Sequence, residues 1–221
     1  MPHPAAAADS YNLIGGSEAD SGGQSFSYMG AGVFRPLSPE YSLGGKVFAG
    51  YLKYKFDSNG RTLAAETPMV TPSVGLQYHR EGVALAGSVG ADFRKLSRET
   101  ASGATETSSD TGAALQAEAY AWWADKYSAE LIASYSTIDS FFWTRGRVKK
   151  GVYTVGNSTD LKVGAEAAGM GNSDFSATQA GAVLEFSNAP LNLSVLFKAG
   201  VRNSSSSSGA VYGGFEAFYG F

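Results

Sequence analysis

Apolar and polar residues alternate with a period of two through most of this 221-residue chain, in runs of roughly ten residues separated by turn-forming segments. Strict alternation puts every second side chain on one face of an extended strand, whereas a helix repeats near 3.6. The runs fall at residues 10–18, 25–35, 44–56, 67–79, 82–95, 111–123, 127–138, 141–150, 159–169, 174–186, 190–202 and 210–221, which predicts about twelve strands. About ten residues is the length that crosses a bilayer as a tilted strand. No stretch approaches the roughly 18 consecutive apolar residues of a transmembrane helix, because Gly, Ser, Lys, Glu or Gln interrupts every apolar run. A chain of this kind that spans a membrane therefore does so with strands.

The last run, A-V-Y-G-G-F-E-A-F-Y-G-F from Ala210 to Phe221, shows the pattern most clearly. Phe221, Tyr219, Ala217, Phe215, Gly213 and Val211 share one face, and Gly220, Phe218, Glu216, Gly214 and Tyr212 the other. A final strand that ends on Phe is similar to the terminal signal of bacterial outer-membrane barrels. The preceding strands behave alike. Val83, Leu85, Val89, Ala91 and Phe93 oppose Ser88, Asp92 and Arg94, and Leu191, Leu193, Val195, Phe197, Ala199 and Val201 oppose Asn192, Ser194, Lys198 and Arg202.

Periodicity alone does not say whether the apolar face is turned inward, as in a soluble sandwich, or outward to lipid. Three features favour lipid. The polar faces mix charges with large rings, as in Trp122 with Glu118 and Gln116, or Trp143 with Arg145, Arg147 and Lys149. Ala117, Ala119 and Ala121 would make a thin soluble core but are acceptable against lipid. With 13% aromatic and only 17% charged residues, the chain is short of charge for a soluble surface. Phe26, Tyr28, Phe56, Phe93, Trp123, Tyr127, Phe142, Phe186, Tyr219 and Phe221 lie near strand ends, where interfacial girdles are expected. The expected fold is an all-β, antiparallel transmembrane β-barrel of about twelve strands, an up-and-down meander over residues 10–221 that follows a flexible segment at 1–9.

Loop lengths suggest an orientation. With both termini in the periplasm, the polar segments 19–24, 57–66, 96–110, 170–173 and 203–209 face outward, and the compact ones at 80–81, 124–126 and 187–189 face inward. Segments 36–43 and 151–158 are long for periplasmic turns, and the Asp139-Ser140 turn is short for an external one. The segment 96–110 is expected to be a mobile external loop. Residues 1–9 have no basic or long apolar region, so the chain is read as a mature protein lacking its signal peptide, resident in the bacterial outer membrane. A net charge of −3 without a dominant basic patch argues against nucleic acid as a partner.

Several short motifs, in order along nearly the whole chain, resemble one family. They are G-G-S-E-A-D-S-G from Gly15, Y-M-G-A-G from Tyr28, Y-L-K-Y-K-F from Tyr51, A-S-Y from Ala133, F-W-T-R-G-R from Phe142, K-A-G-V-R from Lys198 and the terminal Y-G-G-F-E-A-F-Y-G-F. Together they are similar to the BcsS group of alphaproteobacterial cellulose-biosynthesis proteins. That resemblance implies an outer-membrane barrel accessory to cellulose-type exopolysaccharide biosynthesis or secretion. It also implies lipid, a glucan chain and subunits of the cellulose synthase or export apparatus as partners. The segment 96–110 and the Ser run at 204–208 look like local elaborations.

Stacking on sugar faces needs flat rings, and sugar hydroxyls need charged or amide groups. Residues read as facing the lumen that fit this chemistry are Tyr51, Tyr120, Trp122, Trp143, Glu118, Glu130, Arg145, Arg147, Lys162, Glu166, Lys198 and Glu216. The competing reading is that these charges pair across strands and fill the barrel, with Arg145 and Arg147 facing Glu130 or Glu118.

Enzymatic chemistry has little to build on. Of the two histidines, His3 sits in the N-terminal tail and His79 at a strand end, with no nucleophile motif nearby. Glu118, Glu130 and Glu166 supply carboxylates for glycoside hydrolysis, but strand separation sets no spacing between them. With no Cys and no clustered His, no metal or other cofactor is expected. The non-enzymatic accessory is thus preferred over a small porin-like channel and over an outer-membrane enzyme acting on lipid or glycan.

Overall fold

The computed structural model describes residues 9–221 except Asn59, Ala101, Asp125, Asn157, Asp174 and Ser206, and omits the side chains of 56–58. The strands are β1 (Ser10–Asp20), β2 (Ser25–Pro36), β3 (Tyr41–Ser58), β4 (Arg61–Arg80), β5 (Val83–Glu99), β6 (Thr105–Trp123), β7 (Tyr127–Ser136), β8 (Phe141–Val155), β9 (Thr159–Gly171), β10 (Ser176–Asn188), β11 (Leu193–Ser204) and β12 (Ser207–Gly220). A 3-10 turn, Ile138–Ser140, joins β7 to β8. Each strand pairs antiparallel with its neighbours in sequence, and β12 closes on β1.

Closure leaves no free sheet edge around the membrane belt, so each ladder there is satisfied on both sides. The seam between first and last strands runs from Asn12 opposite Gly220 to Asp20 opposite Tyr212. It is locked at the terminal end by reciprocal backbone bonds between Tyr11 and Phe221 of 2.8 and 2.9 Å. All twelve sequence-predicted strands are present.

Alternation sets the two surfaces. Leu13, Met29, Val33, Val47, Val74, Val89, Leu115, Leu131, Val148, Val201, Val211 and Phe215 point outward and are exposed, which is the arrangement of a lipid-facing wall. Aromatic residues border this apolar belt. Near the termini, Tyr11 stacks on Phe221 at 5.4 Å, Tyr41 meets Tyr78 at 5.1 Å and Trp123 stacks on Tyr127 at 5.8 Å. Toward the opposite end, Tyr51, Phe93, Tyr135 and Phe142 are exposed. Tyr41 and Tyr51 lie on the outer face of one strand. Ten steps of about 3.3 Å at a tilt near 40° separate them by roughly 25 Å along the barrel axis, the height of an outer-membrane apolar band.

Strand lengths correct the expected loops. Segment 96–110 is not a loop: β5 continues to Glu99, β6 starts at Thr105, and Leu96 to Glu99 pair with Ser108 to Thr105. Its polar residues alternate as well as apolar ones do, so low hydrophobicity concealed a hairpin that rises past the belt. Segment 36–43 loses half of its length to β2 and β3, and 151–158 most of its length to β8, so neither is a long turn. The run at 203–209 similarly shrinks to the tight β11–β12 connection. Asp9, at the end of the expected flexible segment, pairs with Arg35 at 3.2 Å on the surface. Residues 1–8, His3 included, lie outside the described residues.

Candidate functional site

The inner face of the barrel is divided. Over β7 to β12 and β1 it carries one connected set of charges, over β2 and β3 it carries a cluster of rings, and the Lys46–Glu118 and Arg94–Asp92 pairs stand apart from both. Arg145 and Arg147, two steps apart on β8, point inward because Val148 and Phe142 of the opposite parity face lipid.

Arg145 donates to Glu216 at 2.7 Å and to Glu130 at 2.5 Å. Arg147 holds Glu216 through both carboxylate oxygens, at 2.6 and 2.8 Å, and Glu166 at 2.8 Å. Since β8 and β12 are four strands apart in the wall, the bonds to Glu216 cross the lumen, while Glu130 and Glu166 lie on the strands either side of β8. Lys198 continues the network, donating to Glu216 at 3.1 Å and to Glu18 at 2.6 Å. Arg202 extends it to Glu18, to Asp20 at 3.0 Å and to Gln179 at 2.9 Å. The Tyr212 hydroxyl donates to Glu166 at 2.9 Å, and Arg202 lies over its ring.

Four cations, Arg145, Arg147, Lys198 and Arg202, thus meet five carboxylates, Glu18, Asp20, Glu130, Glu166 and Glu216. The Arg147 side chain is 2% exposed and that of Glu166 is fully buried. Charges this deep are tolerated only when paired and hydrogen-bonded.

Across from them, Phe26, Tyr28 and Phe48 form a ring cluster with centroids 5.4, 5.6 and 6.4 Å apart. Tyr28 lies over Gly16, where a Cβ would come within 2.9 Å of its ring, and Phe34 lies over Gly44, where a Cβ would come within 2.3 Å. Glycine at those two positions leaves the depth the rings occupy. Phe26 and Tyr28 are therefore not girdle residues. β2 is apolar on both faces, with Met29 and Val33 taking the lipid side, so hydrophobicity gave no parity to read.

The other candidates divide between the two surfaces. Lys46 crosses from β3 to Glu118 on β6 at 2.7 Å, and Gln116 and Tyr120 also donate to Glu118. Tyr120 stacks on Trp122 at 6.3 Å near the terminal mouth. Trp143 lies beneath Arg145 at 5.4 Å. Lys162 and Lys149 both reach Glu185.

Tyr51 is the exception, since it shares the outer parity of Val47 and sits beside the Lys53–Glu66 pair, 3.1 Å apart on the outer surface. Lys53 and Lys55 gave its strand a polar appearance on that side, but they stand past the lipid belt. Glu118 partners Lys46 and not the arginines; Glu130 is their partner.

Sequence reasoning omitted Glu18, Asp20, Gln179, Arg202 and Tyr212 as network members. Arg202 is in step with Lys198 and Tyr212 with Glu216, so parity would have found those two. Glu18 and Asp20 needed the β1–β12 closure, and Gln179 the β10–β11 register that sets it opposite Arg202. At the far mouth, Tyr54 of β3 meets Phe175 of the β9–β10 turn at 5.7 Å, and Ala65, opposite Tyr54 on β4, is completely buried. His79, at the terminal rim, contacts Gln77 at 3.2 Å.

A closed antiparallel barrel with an apolar outer belt and a paired, buried polar interior is an outer-membrane-type β-barrel. Solved barrels share this fold at low identity. The β domain of the Bordetella autotransporter BrkA is 13% identical with a TM-score of 0.54, covering 96% of this chain and 98% of that one. The translocator domain of the autotransporter NalP from Neisseria meningitidis is 12% identical with a TM-score of 0.56, covering 96% and 88%. An outer-membrane channel from Pseudomonas putida F1 is 9% identical with a TM-score of 0.53, covering 96% and 95%. No curated protein matches the sequence. Residues 9–221 match the family described as cellulose biosynthesis protein BcsS, and the chain belongs to that family.

Proposed function

We propose that this chain is a non-enzymatic barrel of the outer membrane, with both termini in the periplasm, that serves cellulose-type exopolysaccharide secretion as an anchor beside the polymer's route. The observation that carries this reading is the ion-pair network across the lumen. A glucan threading the barrel would have to part Arg145 and Arg147 from Glu216, leaving buried charges unpaired. The Tyr54–Phe175 contact at the far mouth supports the same view.

Against an enzyme stands the engagement of the available carboxylates: Glu118 is held by Lys46, Glu130 by Arg145 and Glu166 by Arg147. In this reading Lys162, Glu166, Lys198 and Glu216 stabilise the barrel, and partner subunits of the export apparatus meet its rims.

Deleting the gene should lower Congo-red-binding polymer and pellicle, and unchanged polymer would overturn the reading. The purified barrel should stay closed in planar bilayers; steady conductance would favour the porin-like alternative. His79→Ala should leave polymer production at the wild-type level. Protease added to intact cells should cut at the β5–β6 turn, and protection there would invert the orientation.

A further inference from the structure

At the terminal mouth, beside the seam where β12 meets β1, lies a cavity of about 490 Å³ that the ion-pair network does not reach. Its size falls within the ordinary range of small-ligand pockets. Asn12, Asn192, Ser187, Ser194, Tyr11 and Phe218 are among the residues that line it.

Its wall is built and held. Asn188 donates to the Thr159 hydroxyl at 2.9 Å and accepts from the Leu191 backbone at 3.0 Å, which shapes the β10–β11 turn. Asn192 closes that turn at φ +47°, a conformation that Asn adopts more readily than most residues. Its carbonyl accepts from the Gly220 backbone at 3.0 Å, fastening the turn to the last strand. The same lining leaves functional groups free. Among the described residues, the side-chain amides of Asn12 and Asn192 and the hydroxyls of Ser187 and Ser194 have no hydrogen-bond partner, and Phe218 is 46% exposed.

The lining chemistry selects the ligand. Among the described residues, no Lys, Arg, Asp or Glu lines the cavity, so neither a phosphate nor a cation finds a counter-charge. A purely apolar occupant would bury amides and hydroxyls without partners, which is unfavourable. Uncharged amides and hydroxyls beside an exposed ring suit a neutral ligand with many hydroxyls and a flat C–H face, which is the description of a pyranose. We infer that this seam cavity binds the neutral glucan chain, taking one or a few β-linked glucose units on the periplasmic side.

The inference rests on the function proposed above, which it sharpens: the anchor would hold polymer at its rim and not inside its lumen. Binding of cellopentaose to the barrel, folded in a detergent without a sugar head group, tests it by titration calorimetry. Wild-type protein is expected to bind with Kd on the order of 1 mM. Phe218→Ala should weaken this at least tenfold, as should Asn12→Ala combined with Asn192→Asp, a pair that retains the turn conformation.

Heat-modifiable migration identifies the folded variants on which the comparison is made. No heat with wild-type protein at millimolar cellopentaose, equal binding of maltopentaose, or folded variants that bind like wild type would each overturn the site. If the wild-type gene restores polymer to a deletion strain while the protein binds no cellopentaose, the site fails and the function stands. If deletion leaves polymer unchanged, the function fails whatever the titration shows.

Discussion

The lumen wall joins two solutions to the problem of filling a barrel. From β7 round to β1, the interior is held by carboxylates shared among cations, with Glu216 contacting Arg145, Arg147 and Lys198 at once. On β2 and β3, Lys46 apart, it is held by rings laid over glycines. Charges buried in a network are strongly interdependent, because each depends on partners that cannot be replaced by water. Rings contribute by area and volume, so they can be exchanged for other apolar groups of like size. The charged half should therefore be intolerant of single deletions, and the aromatic half tolerant of conservative change.

The largest effect is expected at the hub. Glu216→Ala leaves three cations short of a partner and should destabilise the barrel by about 3–5 kcal/mol, read as a lower urea midpoint for loss of the fast-migrating gel form. A loss below about 1 kcal/mol would erase the distinction between the halves. Next comes Phe34→Ala, which removes a ring that is 2% exposed and should cost about 3 kcal/mol by the same measurement. Phe34→Leu should cost less than about 1.5 kcal/mol. If both substitutions cost the same, shape and not volume governs the aromatic side. Smallest of all, Lys53→Ala breaks an exposed pair beyond the belt and should leave the urea midpoint at the wild-type value.

Much of this architecture was legible along the strands. Phe221, Tyr219 and Phe215 face lipid and Glu216 and Tyr212 face the lumen, as their alternation in the last strand requires. The same alternation placed Arg145, Arg147 and Trp143 on the inner wall. It failed where both faces carry the same kind of residue. β2 is apolar on both sides, which hid the inward turn of Phe26 and Tyr28, and the far end of β3 is polar above the membrane, which misplaced Tyr51. It failed again at 96–110, where a hairpin made of Ser, Thr, Glu and Asp has no apolar face to announce it.

Period two, run length and the absence of a long apolar run determined a strand-built wall, and the charges and rings sharing its polar faces favoured lipid outside, because those properties depend only on neighbours along the chain. The register of β12 on β1, the stagger that brings β8 opposite β12, and so the choice of Glu216 as the common partner of three cations were decided by the tertiary structure. The reason is geometric. Which charges meet across a barrel depends on strand number and shear, which are properties of the closed sheet and of no single strand. The seam cavity belongs to the same class, for Asn12 and Asn192 become neighbours only when the two ends of the chain are joined.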